Sequence, residues 1–310
     1  MHNKAIEAAL KMISENQPEV QRIYKLQRQL SKIGKFHRLD PTFSGADFDV
    51  VCEEHVVPVR MYYPLENWKD KSVILFFHGG GWVSGNVDSY NRVCIMLARQ
   101  LNCRVAAVDY RLAPEHPFPA GLTDCYAVSR YFYQNAEFLF GVSSEKLILM
   151  GDSAGGNLAA AISLKARDSG EFTPVSQILL YPALYNDYTV TSPFESVHRN
   201  GKDYILTAER IQEYIELYAG TGDRTQPYFA PLLAEDFSCQ PKTLVITAEF
   251  DPLCDEGEMY ADKLSAAGSQ VTKYRMENAL HGFFSMTLGT PAKKACQLIR
   301  NFLDKDGVSD

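Results

Sequence analysis

Chemistry in this chain gathers around one serine. Gly151-Asp152-Ser153-Ala154-Gly155-Gly156 follows an apolar run ending at Met150 and opens a run of helix formers, Asn157-Leu158-Ala159-Ala160-Ala161. G-x-S-x-G in a strand–turn–helix setting is the pattern of a serine lifted out of a sheet edge by a sharp turn. Glycines two before and two after the serine leave room for strand and helix to approach, and the helix start places N–H groups and a positive dipole end beside the hydroxyl. A second motif, His78-Gly79-Gly80-Gly81-Trp82, follows the apolar run 73–77. Consecutive glycines expose backbone N–H donors and admit a carbonyl close to them. An acyl-transfer centre needs such donors for its oxyanion, and losing one typically costs about 2.7–4 kcal/mol of barrier. The plain alternative is a flexible glycine turn. A dinucleotide site would require G-x-G-x-x-G, which this stretch lacks. His78 is read as holding the loop by a hydrogen bond rather than as a base.

A serine hydroxyl needs a base, and the base needs an acid to orient it. After an elbow of this kind the order along the chain is Ser, then Asp or Glu, then His. His281, in Asn278-Ala279-Leu280-His281-Gly282-Phe283, is the only histidine after His198; the other six precede the required acid or fall in a long insertion. The acid is expected just past a late strand, in Glu249-Phe250-Asp251-Pro252-Leu253-Cys254-Asp255-Glu256. Asp251 falls in the strand-end turn stiffened by Pro252 and ranks first. Asp255 and Glu256 read as first-turn acids of the next helix, favourable with its dipole; Asp255 ranks second as the acid and Glu249 third. A histidine base predicts a rate that falls on the acid side, and a flat rate from about pH 5 to 8 would contradict it. The stretch from Asp109-Tyr110-Arg111 to Glu115-His116-Pro117-Phe118-Pro119 is read as a brace of prolines and ion pairs under the active loop rather than as a substrate-binding group.

These residues need a frame. Short apolar runs at 73–77, 105–108, 147–150, 178–181 and 244–247, with a weaker one at 271–275, alternate with helical segments near 89–101, 121–137, 155–168, 256–267 and 291–304. Continuously apolar strands separated by helices imply an α/β fold with a mostly parallel sheet flanked by helices. Alternation between about 46 and 63 suggests a hairpin. The first forty residues read as two helices parted by Pro18, at a position suited to a first helical turn. A long passage, 184–237, separates two strands and holds a helical stretch at 208–218; insertions of that length are often lids or binding elements.

The chain has 310 residues, 46% hydrophobic and 22% charged, with a net charge of −7. That length supports a full core without disulfide or metal staples and excludes disorder, collagen and coiled coil as overall descriptions. The acidic balance and the absence of a basic cluster argue against nucleic acid and anionic membranes. No run of about 18 apolar residues suggests a spanning helix, so no membrane insertion is expected, and Met1 to Lys11 lacks the pattern of a secretory signal. Seven scattered cysteines without a Cys-x-x-Cys pair read as reduced thiols of a cytoplasmic protein.

With these motifs in their order, the chain resembles the hormone-sensitive-lipase-like family of α/β-hydrolase esterases. The resemblance covers about residues 45–305 and rests on His78-Gly79-Gly80-Gly81-Trp82, the Asp109–Glu115 stretch, Gly151 to Gly156, Asp251-Pro252-Leu253 and His281-Gly282-Phe283. Ala248-Glu249-Phe250-Asp251-Pro252-Leu253 is similar to bacterial acetyl esterases. The resemblance implies Ser153 as nucleophile, His281 as base and Asp251 as its partner. It also implies an oxyanion hole from the N–H groups of Gly80, Gly81 and Ala154, with Gly79 a weaker candidate. Trp82, Asp152 and Phe283, within these motifs, are expected at the substrate pocket. A helical cap would come from residues 1–45 and from 184–237 within a catalytic domain of 46–310. The implied activity is hydrolysis of short-chain acyl esters, acetyl to about butyryl or hexanoyl, without cofactor or metal and with a small-molecule ester as the partner; a homodimer is left open. The rivals are an amidase, peptidase or deacetylase on the same triad, separable by comparing an acetate ester with its anilide, and a non-catalytic receptor of the same fold, which would lack part of the triad.

Overall fold

The computed structural model describes residues 4–15, 17–33, 45–52, 55–64, 68–287 and 289–304. The remainder of the expected N-terminal segment 1–45 and residues 305–310 of the expected catalytic domain lie outside the described residues. Among the described residues eight strands form one sheet in the order β1-β2-β4-β3-β5-β6-β7-β8. β1 (Gly45–Val51) and β2 (Val56–Tyr62) make the expected antiparallel hairpin, and β2 continues antiparallel onto β4 (Arg104–Val108). From there β3 (Val73–Phe77), β5 (Leu147–Asp152), β6 (Ser176–Leu180), β7 (Lys242–Phe250) and β8 (Val271–Leu280) run parallel.

β3, β4, β5 and β6 are buried at every residue, which requires cover on both faces. The cover divides the side chains alternately. Val73, Leu75 and Phe77 join a core with α4 (Ala120–Gln134), α6 (Ala154–Ser169) and α9 (Cys254–Ala266). Ile74 and Phe76 join a second core with α3 (Asn91–Leu101) and α10 (Thr290–Asp304). The expected helix 121–137 stops at Gln134 and is followed by a short α5 (Ala136–Phe140). β8 runs five residues past its expected end at 275; as an edge strand exposed along half of its length it lacks the apolar run that reveals its neighbours.

Two helices precede the sheet, α1 (Lys4–Glu15) and α2 (Val20–Ile33). Pro18 lies before α2 rather than in its first turn. α2 starts at Val20 because a carboxylate from another element satisfies that otherwise orphan N–H: Val20 N donates to Glu213 at 2.9 Å. Glu213 belongs to α8 (Ala208–Ala219), the helix expected in the long insertion, capped by Thr207 Oγ1 accepting from the Arg210 N–H. The insertion also holds a helix that its sequence does not announce, α7 (Glu195–Asn200).

Candidate active site

Parallel strands place their carboxyl ends on one edge, and the loops after β3, β5, β7 and β8 leave that edge with the glycine motif, Ser153, Asp251 and His281. Ser153 follows β5 and starts α6. Its backbone lies at φ 54° and ψ −118°, held by its N–H donating to the Leu180 carbonyl at 2.9 Å and its carbonyl accepting from Asn157 N at 3.1 Å. The flanking glycines are needed for space: a methyl on Gly151 would lie 2.1 Å from the Gly155 carbonyl oxygen, and one on Gly155 would lie 1.9 Å from that of Phe77.

His281 leaves β8, and Asp251 leaves β7. The His281 Nε2 lies 2.9 Å from Ser153 Oγ and its Nδ1 lies 2.7 Å from Asp251 Oδ2. Asp251 is fully buried, and its second oxygen accepts from the Leu253 N–H at 3.0 Å. The His281 ring packs edge-to-face with Tyr181, with centroids 4.9 Å apart. The other two acids are engaged elsewhere: Glu249 accepts from the Asn278 N–H and Asp255 from the Ser196 N–H. Glu256 stands in the first turn of α9, as its position suggests, but it is not at the surface there. It is fully buried, accepts from the Leu184 N–H at 2.6 Å and the Tyr188 hydroxyl at 2.8 Å, and burial pushes its carboxyl up to about 8.

The glycine loop after β3 faces the same serine. Gly80 and Gly81 adopt positive φ, and a methyl on Gly81 would come 2.4 Å from the Tyr214 ring. Among the described residues the N–H groups of Gly80, Gly81 and Ala154 carry no backbone bond of these turns. Gly79 differs: its N–H donates to Asp152 Oδ1 at 2.8 Å and to the Tyr90 hydroxyl at 3.1 Å, so it is not available to an oxyanion. His78 is buried, stacks on Tyr110 and pairs through Nδ1 with the Gly79 carbonyl at 2.8 Å. Burial holds its imidazole below the ordinary histidine range, so His78 braces the loop as a neutral ring.

The 109–119 stretch braces too. Tyr110 donates to the His78 carbonyl, Arg111 pairs with buried Asp124, and the Ala113 N–H donates to the Trp82 carbonyl. Arg28 of α2 bonds the Val83 and Ala113 carbonyls and pairs with Glu115, tying the N-terminal helix to the glycine loop.

These parts surround a cavity of about 230 Å³. Ser153, His281 and the glycine loop line it together with Leu206, Ile211 and Tyr214 of the insertion. Trp82 and Asp152 line it. Trp82 is nearly buried and stacks on Tyr218, and the Asp152 carboxyl also accepts from Tyr90, with burial raising it to about 6. Phe283 does not line it. Two residues past the histidine, its side chain turns into the second core against Tyr181. Sequence reasoning passed over Tyr90, Tyr181, Ser196 and Asn200, whose roles come from partners far along the chain.

The parallel sheet, the serine elbow and the acid and histidine loops at one edge are those of an α/β-hydrolase. A family profile described as alpha/beta hydrolase fold matches residues 74–285. The chain belongs to this family, the hormone-sensitive-lipase-like α/β-hydrolase esterases. It is 35% identical over 254 residues to an arylesterase of Saccharolobus solfataricus, covering 81% of this chain and 79% of that protein. It is 35% identical over 238 residues to an ethyl acetate hydrolase of Pseudomonas putida, covering 75% and 73%. The structure of a hyperthermophilic esterase from the archaeon Pyrobaculum calidifontis superposes with a TM-score of 0.86 at 33% identity, covering 99% of each chain. Among the described residues no helix is long and apolar enough to cross a membrane.

Proposed function

We propose that this carboxylic ester hydrolase acts on short-chain acyl esters, acetyl to about butyryl or hexanoyl, through an acyl-enzyme on Ser153. The observation that carries this reading is the hydrogen-bonded chain Ser153 Oγ, His281, Asp251 opening onto a small cavity. Asp251 accepts a hydrogen bond from the Nδ1–H, which keeps the proton there and leaves Nε2 free to take the proton of Ser153 as its oxygen attacks the ester carbonyl. The N–H groups of Gly80, Gly81 and Ala154 receive the negative charge that develops on the carbonyl oxygen. Collapse of the tetrahedral intermediate breaks the bond to the alcohol, which leaves with the proton from His281. Water, deprotonated by His281, then attacks the acyl carbon, and Ser153 leaves with the proton. Short chains are favoured because Leu206, Ile211 and Tyr214 close a cavity of only about 230 Å³.

Residues 1–45 and 184–237 make up the cap in this reading, supported by the contact of α2 with α8 through Glu213 and Val20. A cytoplasmic location fits seven scattered cysteines with no Cys-x-x-Cys pair, which would remain reduced thiols there. The decisive experiment is a chain-length series of nitrophenyl esters run beside Ser153→Ala. Hydrolysis is expected to peak at acetate to hexanoate and to fall by about 10⁶-fold in kcat in the variant, the order seen when such a nucleophile is removed. Wild-type rates in Ser153→Ala would end the assignment; preference for long acyl chains would end the short-chain reading alone.

A further inference from the structure

The turn that carries Asp251 is held from outside. Its own bonds are few: Leu253 N–H to the Asp251 carboxylate, and Cys254 N–H to the Asp251 carbonyl at 3.2 Å. The insertion supplies the rest. Asn200 Nδ2 donates to the carbonyls of Asp251 at 3.2 Å and Glu249 at 3.0 Å. Ser196 Oγ donates to the Pro252 carbonyl at 2.6 Å and accepts from the Asp255 N–H at 3.2 Å, while its own N–H donates to the Asp255 carboxylate at 2.7 Å. Ser196 and Asn200 stand four residues apart in α7 and so share one helix face. They are 0% and 2% exposed, so each would be a costly orphan if the turn moved away. The acidic side chains of this segment are all engaged: Glu249 by the Asn278 N–H, Asp255 by Ser196, and Glu256 by Leu184 and Tyr188, with His281 on Asp251.

We propose that Asn200, together with Ser196, is a positioning residue for the catalytic acid: α7 fixes the turn after β7 so that Asp251 keeps its hold on His281. The proposal rests on the Ser153–His281–Asp251 reading. Neither residue lines the cavity, so neither touches substrate. The insertion then divides by task. Its first part, through Asn200, belongs to the catalytic frame, and its second part, from Leu206 through α8, covers the pocket.

The test uses Asn200→Leu, close in volume but without a donor, with Asn200→Ala and Ser196→Ala in parallel. On nitrophenyl acetate kcat is expected to fall about 10- to 100-fold while KM changes less than about two-fold, the mark of lost geometry in the reacting centre rather than lost binding. The far-downfield proton resonance of the His281 Nδ1–H on Asp251 is expected to broaden or move upfield, which a merely structural role would not cause. A folded Asn200→Leu enzyme with wild-type kcat and resonance overturns the proposal, as does a loss confined to KM. If the Asn200 variants do not fold, Ser196→Ala, which removes one hydroxyl, decides by the same two readouts. Asp251→Asn separates the two levels. If it keeps wild-type kcat, the acid assignment fails and the proposal falls with it; if it loses activity while the α7 variants keep theirs, only the positioning role falls.

Discussion

Ser153 occupies a backbone conformation that side chains with a Cβ adopt only when their surroundings impose it. The imposition is local and tight. β5, the Ser153 turn and α6 close on each other so nearly that Gly155 sits against the end of β3, at a distance where a methyl would meet the Phe77 carbonyl oxygen at 1.9 Å. That neighbour is backbone in a fully buried strand and has nowhere to go. Gly155→Ala should therefore destabilise by about 3 kcal/mol or more and displace the start of α6, which carries Ala154. In a chain of 310 residues that is a fall in Tm of about 5 °C or more, with esterase activity reduced in parallel. An alanine variant with wild-type Tm and rate would show that the elbow tolerates the methyl and that the contact is not a constraint.

At the scale of elements, the pocket is bounded by one helix, α8, that a second helix, α2, holds. α8 buries Ile211, Ile215 and Tyr218, a stripe at helical spacing, and turns Tyr214 toward Gly81. α2 supports it from behind through Val20 and Glu213, and Arg28 of the same helix bonds the Val83 carbonyl beside the glycine loop. Tyr214 is thus a wall backed by a second layer of structure. Tyr214→Ala removes the ring and should lengthen the pocket. Each further buried methylene is worth about 0.8 kcal/mol, roughly four-fold in kcat/KM. The ratio of kcat/KM for hexanoate over acetate nitrophenyl esters is then expected to rise several-fold. A ratio equal to wild type would place the length limit on another wall.

For the whole molecule the buried carboxyls set how stability responds to pH. Glu256 carries a folded-state value of about 8 against an ordinary 4.5, because burial disfavours its charged form. The native state therefore holds its proton where the unfolded chain has released it. Stability is fully present below about pH 4.5 and declines as pH rises through about 8, by up to about 1.4 kcal/mol per unit. Asp152, raised to about 6, has the same sign in a lower window, from its ordinary 3.8 upward. Between pH 6 and 8 Glu256 is the larger contributor. Glu256→Gln keeps an acceptor for the Leu184 N–H and the Tyr188 hydroxyl but cannot ionise. Its Tm should fall less between pH 6 and 8 than that of the wild type; parallel curves would mean that Glu256 is not the group responsible.

The catalytic candidates were readable from the chain because their signals are local. A glycine two positions from a serine, a proline after an acid and the order of the motifs each depend on a few adjacent residues, and the central strands announce themselves as unbroken apolar runs. The misses share a cause. α7 is six residues long, too short for periodicity, and β8 is an edge strand without an apolar run. Phe283 lies beside a motif but turns into the core, and Glu256 resembles an ordinary first-turn acid until the root of the insertion closes over it. Linear order thus named Ser153, Asp251 and His281. Their separations of 2.9 and 2.7 Å, the closure of the pocket by Tyr214 and the grip of Asn200 on the acid turn depend on residues dozens to more than a hundred positions apart. Such distances arise only when parallel strands bring their ends to one edge and the insertion folds back over it.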